Sequence, residues 1–483
     1  IERSIHGWRW CASAAMTVDG HNRVELPESV REAADKAAAA IEKACIREAS
    51  SSNQDRSAAL LGPLLPVLVD GAAHAPVQAN KKFCLLLLVD LSKHCGAQLG
   101  PYIVSIVPCL LDALSDIEPA VLNYIATRSN AMDLETLDDA RSKMAGSSPL
   151  MLAVHNLIPH ITQPILIELA PKLADQMRGS VGVSTRTSAA QLITHLALQR
   201  TILLMDNPAV CDKFIGVLRS SAIRDRNPTV RKQFASTLSY VTKYASPSQM
   251  KRVIEEAAAE LVGSDDDRKV AVRHLLRALS ANSSDLLSRH AAMVVPYVFL
   301  EQCQEVIKGD DESKKKVEAW KELWSELVPS TESAIRLYGD EIVTTALKIL
   351  EENQVWSVKS QASIMIKEVS TVKEYMKPDI AKKLLLTVLP MLSGRYWTGK
   401  ERLPDAIGGI LDSVGAALAG LLSPEENKQL GDALRRDAAR KKRVYALAAL
   451  RAYTNYARAF RCDDAAAWIV ERTRTALERG TDR

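Results

Sequence analysis

One periodicity constrains this chain more than any other feature. A valine near the start of a helix-like stretch recurs at Val30, Val77, Val121, Val183, Val230, Val270, Val317, Val358 and Val444. The steps are 47, 44, 62, 47, 40, 47 and 41 residues, and the final gap of 86 is two steps of 43 with the skipped rung near Lys400. The clearest unit, 210–247, reads as a helix, a turn at Asp225-Arg226-Asn227-Pro228 and a second helix. In that second helix Val230, Phe234, Leu238 and Val241 recur at helical spacing and predict one buried face. Pro228 suits a helix start, where a missing N–H leaves nothing unsatisfied. Preceding helices show the partner stripe, as in Leu61, Leu64, Leu65 and Leu68, or Ile103, Ile106, Val107, Leu110 and Leu114. Two helices per 40 to 47 residues is the HEAT/armadillo pattern, and each pair leaves an apolar face that only its neighbours can cover. The expected fold is therefore all-α, an α-solenoid of roughly ten helix pairs running through 1–483 as one domain.

Composition agrees and excludes other classes. Apolar residues make up 47 % and charged residues 25 %, which rules out a disordered or fibrous chain. Aromatics at 5 % are sparse for a strand-rich core, and nothing alternates with period two over a useful length. The net charge of +4 over 483 residues gives no reason to expect nucleic acid. Eight cysteines without a C-x-x-C pair predict reduced thiols in the cytoplasm and nucleus. The best membrane-span candidate, 407–422, is short and interrupted by Asp412, so a soluble protein is expected. The opening IERSIHGWRW lacks a secretory pattern, and the first residue, Ile1, suggests a fragment of a longer protein.

Two departures from the period draw attention. The 62-residue step contains TRSNAMDLETLDDARSKMAGSSP, 127–149, whose polar composition predicts an exposed insertion, partly helical or mobile. A second break, from 308, predicts a solvated connection. Enzyme signatures fail on their chemistry. GRYWTGKE, 394–401, follows the phosphate-loop template to Lys400, but Glu401 stands where the magnesium-binding hydroxyl must be and would repel phosphate. It also follows a helix instead of a strand, so a tight inter-helix turn is the expected structure. No zinc spacing and no nucleophile motif occurs; His155 and His160 lack a cysteine nearby. Trp320 and Trp324, one turn apart, are expected in the core. No catalytic residue, metal or cofactor is predicted. The densest charge is RRDAARKKRV: Arg435, Arg436, Arg440, Lys441, Lys442 and Arg443, with Arg436, Arg440 and Arg443 expected on one helix face. Such a row is either simply solvated or suited to an acidic protein surface.

Several of these segments together resemble a known family. PESVREAADKAAAAIEKAC (27–45), EPAVLNYIATR (118–128), SVGVSTRTSAA (180–190), the KVEAWKELWSELVPS run from 316, IRLYGDEI (335–342) and SGRYWTGKE (393–401) occur in the order found in the C-terminal region of the large HEAT-repeat adaptor and scaffold of the proteasome. The likeness covers about 27–418 and weakens in the basic tail. It implies a non-enzymatic scaffold that binds proteasome core and regulatory particle subunits, bridging or stabilising them and modulating assembly quality control. It offers no catalytic residue, cofactor, nucleic-acid contact or membrane insertion. Arg395, Trp397 and Lys400, on a loop matched by the resemblance, and Arg436, Arg440 and Arg443 are the candidate protein-binding residues. A HEAT scaffold of another kind, such as a nuclear transport receptor or a phosphatase scaffold subunit, is the alternative.

Overall fold

A computed structural model describes residues 28–50, 54–76, 78–116, 131–179, 182–263, 265–306 and 309–481. Among them every regular element is helical, 22 α-helices joined by turns and short 3-10 segments. They are α1 (Glu28–Ala49), α2 (Gln54–His74), α3 (Gln78–His94), α4 (Ile103–Asp116), α5 (Ala131–Gly146), α6 (Pro149–Leu157), α7 (Gln163–Gly179), α8 (Val183–Gln199), α9 (Thr201–Met205), α10 (Pro208–Arg224) and α11 (Pro228–Val241). The order continues with α12 (Pro247–Val262), α13 (Asp266–Ser288), α14 (Val295–Gln302), α15 (Asp311–Leu327), α16 (Thr331–Glu352), α17 (Trp356–Thr371), α18 (Pro378–Val388), α19 (Arg402–Leu418), α20 (Pro424–Ala438), α21 (Arg443–Phe460) and α22 (Asp463–Thr481). The helices gather into two compact units, 1–253 with 265–286, and 254–264 with 287–483.

In the first unit the 208–241 pair, α10 and α11, packs as the periodicity predicts. Val230, Phe234, Leu238 and Val241 are wholly buried, facing Phe214, Ile215 and Leu218 of the stripe on α10. Asn227 caps α11 by accepting the Val230 N–H, and Pro228 occupies the first helical turn. The second helices of successive pairs also touch, α8 on α11, and their small polar residues form a ladder across the repeat. Thr194 meets Thr237 at 2.9 Å, Thr237 donates to the Ala190 carbonyl, and Asn282 donates to Ser239. Charged groups repeat likewise: Arg186 pairs with Asp225, and Arg231 reaches Asp267 at 3.0 and 3.1 Å. Each such pair ties the start of one second helix to the turn of the next unit.

The valine ladder marks second-helix starts better than it marks one core column. Val230 is buried, Val183, Val270 and Val358 are half-buried, and Val444 is exposed. Val317 is buried inside α15, and the skipped rung near Lys400 falls just before α19. Val77 and Val121 lie outside the described residues, as does the Val30 side chain. Trp320 and Trp324 are core residues, Trp324 stacking on Phe299 with ring centres 4.8 Å apart.

Three expectations are corrected. Residues 131–146 of the polar insertion form α5, which is docked on α8 and α11 and does not stand free in solvent. Its acidic residues are the reason: Asp138 is buried and accepts from Asn227 Nδ2 at 2.6 Å, Asp139 accepts from Thr229 at 2.5 Å, and Glu135 holds Lys232 at 2.6 Å. Polarity read as exposure therefore marks a polar interface. Beyond 308, Asp310 accepts the Glu312 and Ser313 N–H groups, so the charged run that follows is the first turn of α15. Among the described residues the helix long and apolar enough to cross a membrane is 55–74 within α2, not 407–422. Its Leu61, Leu65 and Leu68 are buried in a helix that packs on α3 and α4.

Candidate functional site

In the second unit, two sequence segments that lie some forty residues apart meet. The 394–401 loop leaves a 3-10 turn at 389–392 and doubles back through Gly394 and Gly399, whose φ angles are 87° and 93°. A side chain at either would be strained, and a Cβ on Gly399 would also come within 2.8 Å of Ser360 Oγ on α17. The reversal drops Lys400 into the interior, 1 % exposed, where Nζ donates to the carbonyls of Ser393 at 2.9 Å, Arg395 at 3.3 Å and Gly394 at 3.4 Å. Burial and neighbouring Arg440 push its pKa down. The lysine that completes a phosphate-loop pattern in the sequence thus closes the loop on itself.

Behind the loop stands α20 and the start of α21. Asp437 is fully buried and accepts from Tyr445 Oη at 2.6 Å, Arg440 Nε at 2.9 Å and Arg436 Nε at 3.2 Å. Arg440 continues outward, its guanidinium donating to the carbonyls of Leu392 at 3.2 Å and Gly394 at 3.3 Å and lying 5.2 Å from the Tyr445 ring centre. Burial first, then the hydrogen bond to Asp437, raises the Tyr445 pKa. The loop carbonyls from Leu392 to Arg395 thus face two cations near the Tyr445 ring, Lys400 and Arg440, the second held by the buried carboxylate.

Placed in this frame, the candidate residues divide. Arg395, Trp397, Lys400, Arg436 and Arg440 share one region. Lys400 and Arg440 are turned inward and hold the loop, whereas Arg395, Arg436 and Arg443 are exposed. The expected common face of Arg436, Arg440 and Arg443 does not exist, because α20 ends at Ala438 and Arg443 opens α21. Sequence reasoning passed over Asp437 and Trp356. An acid isolated in a run of cations was the available signal for Asp437, since such a residue is retained where it has cations to hold.

The indole of Trp356, first residue of α17, stacks on Trp397 with centres 5.0 Å apart and planes at 25°. With Lys359, Met391, Arg395 and Tyr396 they border a cleft of about 410 Å³. In the resembling segment 180–190, described from Gly182 onward, Arg186 donates to the Met177 carbonyl and pairs with Asp225, a structural role. His155 and His195, isolated in sequence, meet with ring centres 4.2 Å apart, and burial lowers both pKa values.

The fold defines an all-helical protein of stacked helix pairs, the HEAT type. The model of the HEAT-repeat domain of proteasome adapter and scaffold protein ECM29 matches residues 99–262. The human proteasome adapter and scaffold protein ECM29 is 29 % identical over 398 residues, covering 82 % of this chain and 21 % of its own length. The Drosophila melanogaster proteasome-associated protein ECM29 homolog is 27 % identical over 441 residues, covering 88 % and 22 %. The Saccharomyces cerevisiae proteasome component ECM29 is 22 % identical over 462 residues, covering 94 % and 24 %. The chain is thus similar to ECM29 proteins along most of its own length, and it spans about a fifth to a quarter of the length of these curated relatives. The crystal structure of the karyopherin Kap121p bound to the SUMO protease Ulp1p aligns with 93 % of this chain and 46 % of its own at 13 % identity and a TM-score of 0.40, a likeness too loose to bear an argument.

Proposed function

We propose that this chain is a segment of a non-enzymatic scaffold that binds the proteasome, bridging or stabilising its core and regulatory particles and modulating assembly quality control, in the cytoplasm and nucleus. The observation that carries this reading is the likeness to ECM29 proteins, which runs through most of the chain and both of its units. The stacked helix pairs support it physically, because a repeat array presents extended surface without needing a catalytic pocket. The burial of Lys400 supports the absence of nucleotide chemistry, since its ammonium is committed to three carbonyls. The described cysteines, all free, include Cys84 and Cys109, which burial pushes up to about 11, and Cys211, pushed to about 12, so these thiols are core residues of low reactivity and not nucleophiles.

Within this reading, Arg435, Arg436, Lys441, Lys442 and Arg443 are the exposed cations of the basic segment and dock on an acidic patch of a proteasome particle. Surface-captured chain exposed to purified core particle, regulatory particle, a transport GTPase and a phosphatase catalytic subunit tests the assignment directly. Binding to either proteasome particle, slowed at low salt by Arg436→Glu with Arg443→Glu, is expected. Binding to the GTPase or phosphatase alone overturns the reading.

A further inference from the structure

In the first unit, the cation that follows a ladder valine has an acidic partner from the next turn: Arg231, beside Val230, holds Asp267. Lys359, beside Val358, occupies the same place in α17, but the next turn is the 394–401 loop, which brings Trp397 and Gly399 to the helix instead of a carboxylate. Among the described residues no acidic side chain lies within ion-pair distance of Lys359 or Arg395. The Lys359 ammonium rests 5.4 Å from the Trp356 ring centre. No aspartate or glutamate lines the cleft that these residues border, and Glu401 is engaged by the Tyr396 hydroxyl at 3.1 Å. Helix α17 begins at Trp356 without a side-chain cap, so its N-terminal partial positive charge adds to that of Lys359 and Arg395. Trp356 is 53 % exposed, an unusual state for an indole already stacked on another.

We propose that this cleft is a docking groove for an extended acidic segment of a partner protein, with an apolar side chain against the Trp356–Trp397 pair and carboxylates on Lys359 and Arg395. The partner's carboxylate would occupy the position that Asp267 fills for Arg231. A rigid aromatic shelf binds at low entropic cost, and the cations select the partner by charge. Nucleic acid fits less well, because the indoles stack on each other and leave no slot between them for a base, and because Lys400 is turned away from any phosphate. This inference goes beyond the proteasome assignment and does not depend on it.

The test uses the whole 483-residue chain and three fluorescein-labelled probes: a short peptide with leucine and proline flanked by glutamates, the same peptide flanked by lysines, and an oligouridylate of matched charge. Anisotropy should show the acidic peptide binding and the basic one failing. Trp356→Ala and Lys359→Glu should each weaken the acidic peptide about tenfold or more, as expected for an anchor and its charge partner. Lys359→Glu with Arg395→Glu should reverse the preference towards the basic peptide. These side chains are exposed or half-buried, and circular dichroism of each variant confirms that the helices persist. Equal binding of the two peptides, unchanged affinity in the variants, or tighter binding of the oligonucleotide overturns the proposal. So does self-association of the chain that Trp356→Ala abolishes, since the groove would then serve a second copy.

Discussion

Removal of the Asp437 carboxylate should open the 394–401 loop, and the cost can be worked from its three partners. The Tyr445 bond, 2.6 Å long and buried at both ends, is a hydrogen bond to a charged acceptor and contributes roughly 2 kcal/mol. Arg440, with 27 % of its side chain exposed, contributes roughly 1 kcal/mol after screening. Arg436, 55 % exposed, adds next to nothing. Asp437→Ala should therefore cost about 3 kcal/mol, and more where Arg440 then lets go of the Leu392 and Gly394 carbonyls. Tyr445→Phe alone should cost about 2 kcal/mol. Because the two variants delete the same bond, the double variant should fall short of the sum by about 2 kcal/mol. Two compact units need not unfold together, so local hydrogen exchange is the better assay, with amides at 392–400 and 436–446 read by mass spectrometry. Additive costs, or unchanged exchange of the 392–400 amides in Asp437→Ala, would refute the hub.

Three further outcomes follow from the packing. Leu238→Asp places an unpaired carboxylate in a wholly buried position between repeats and should cost about 3 to 5 kcal/mol, seen as a lower denaturation midpoint for the first unit. Asp138→Ala deprives Asn227 and Arg141 of their acceptor and should raise exchange across α5 by a local destabilisation of about 2 kcal/mol. Burial, then Arg273 and Lys232, lowers the pKa of His274 from 6.5 to about 4, so the unfolded chain takes up this proton first. Stability should fall with pH between those two values, by at most about 3 kcal/mol, and His274→Gln should flatten that part of the profile in urea titrations.

Helix pairs, their period and their buried stripes were all legible in the sequence. Val230, Phe234, Leu238 and Val241 lie on one face because α-helical geometry is local, and burial follows from that geometry once any neighbour packs there. That 394–401 forms a tight turn between helices was legible for the same kind of reason, since the segment follows a helix and carries two glycines. What became of the cations was not legible. Arg436 in the last turn of α20 and Arg440 just beyond its end are four residues apart, yet one faces solvent and the other grips carbonyls 46 and 48 residues away. Lys400 and Arg395 share a loop and divide likewise between interior and surface. Polar α5 was read as exposed because its own residues carry no apolar stripe, and the groups that bury it, Asn227, Thr229 and Lys232, lie about ninety residues on. Local periodicity determines which residues form helices and which stripe seeks cover. Whether a charge meets water, a carbonyl or a buried carboxylate depends on the neighbouring repeats, and only the tertiary structure brings those within hydrogen-bond reach.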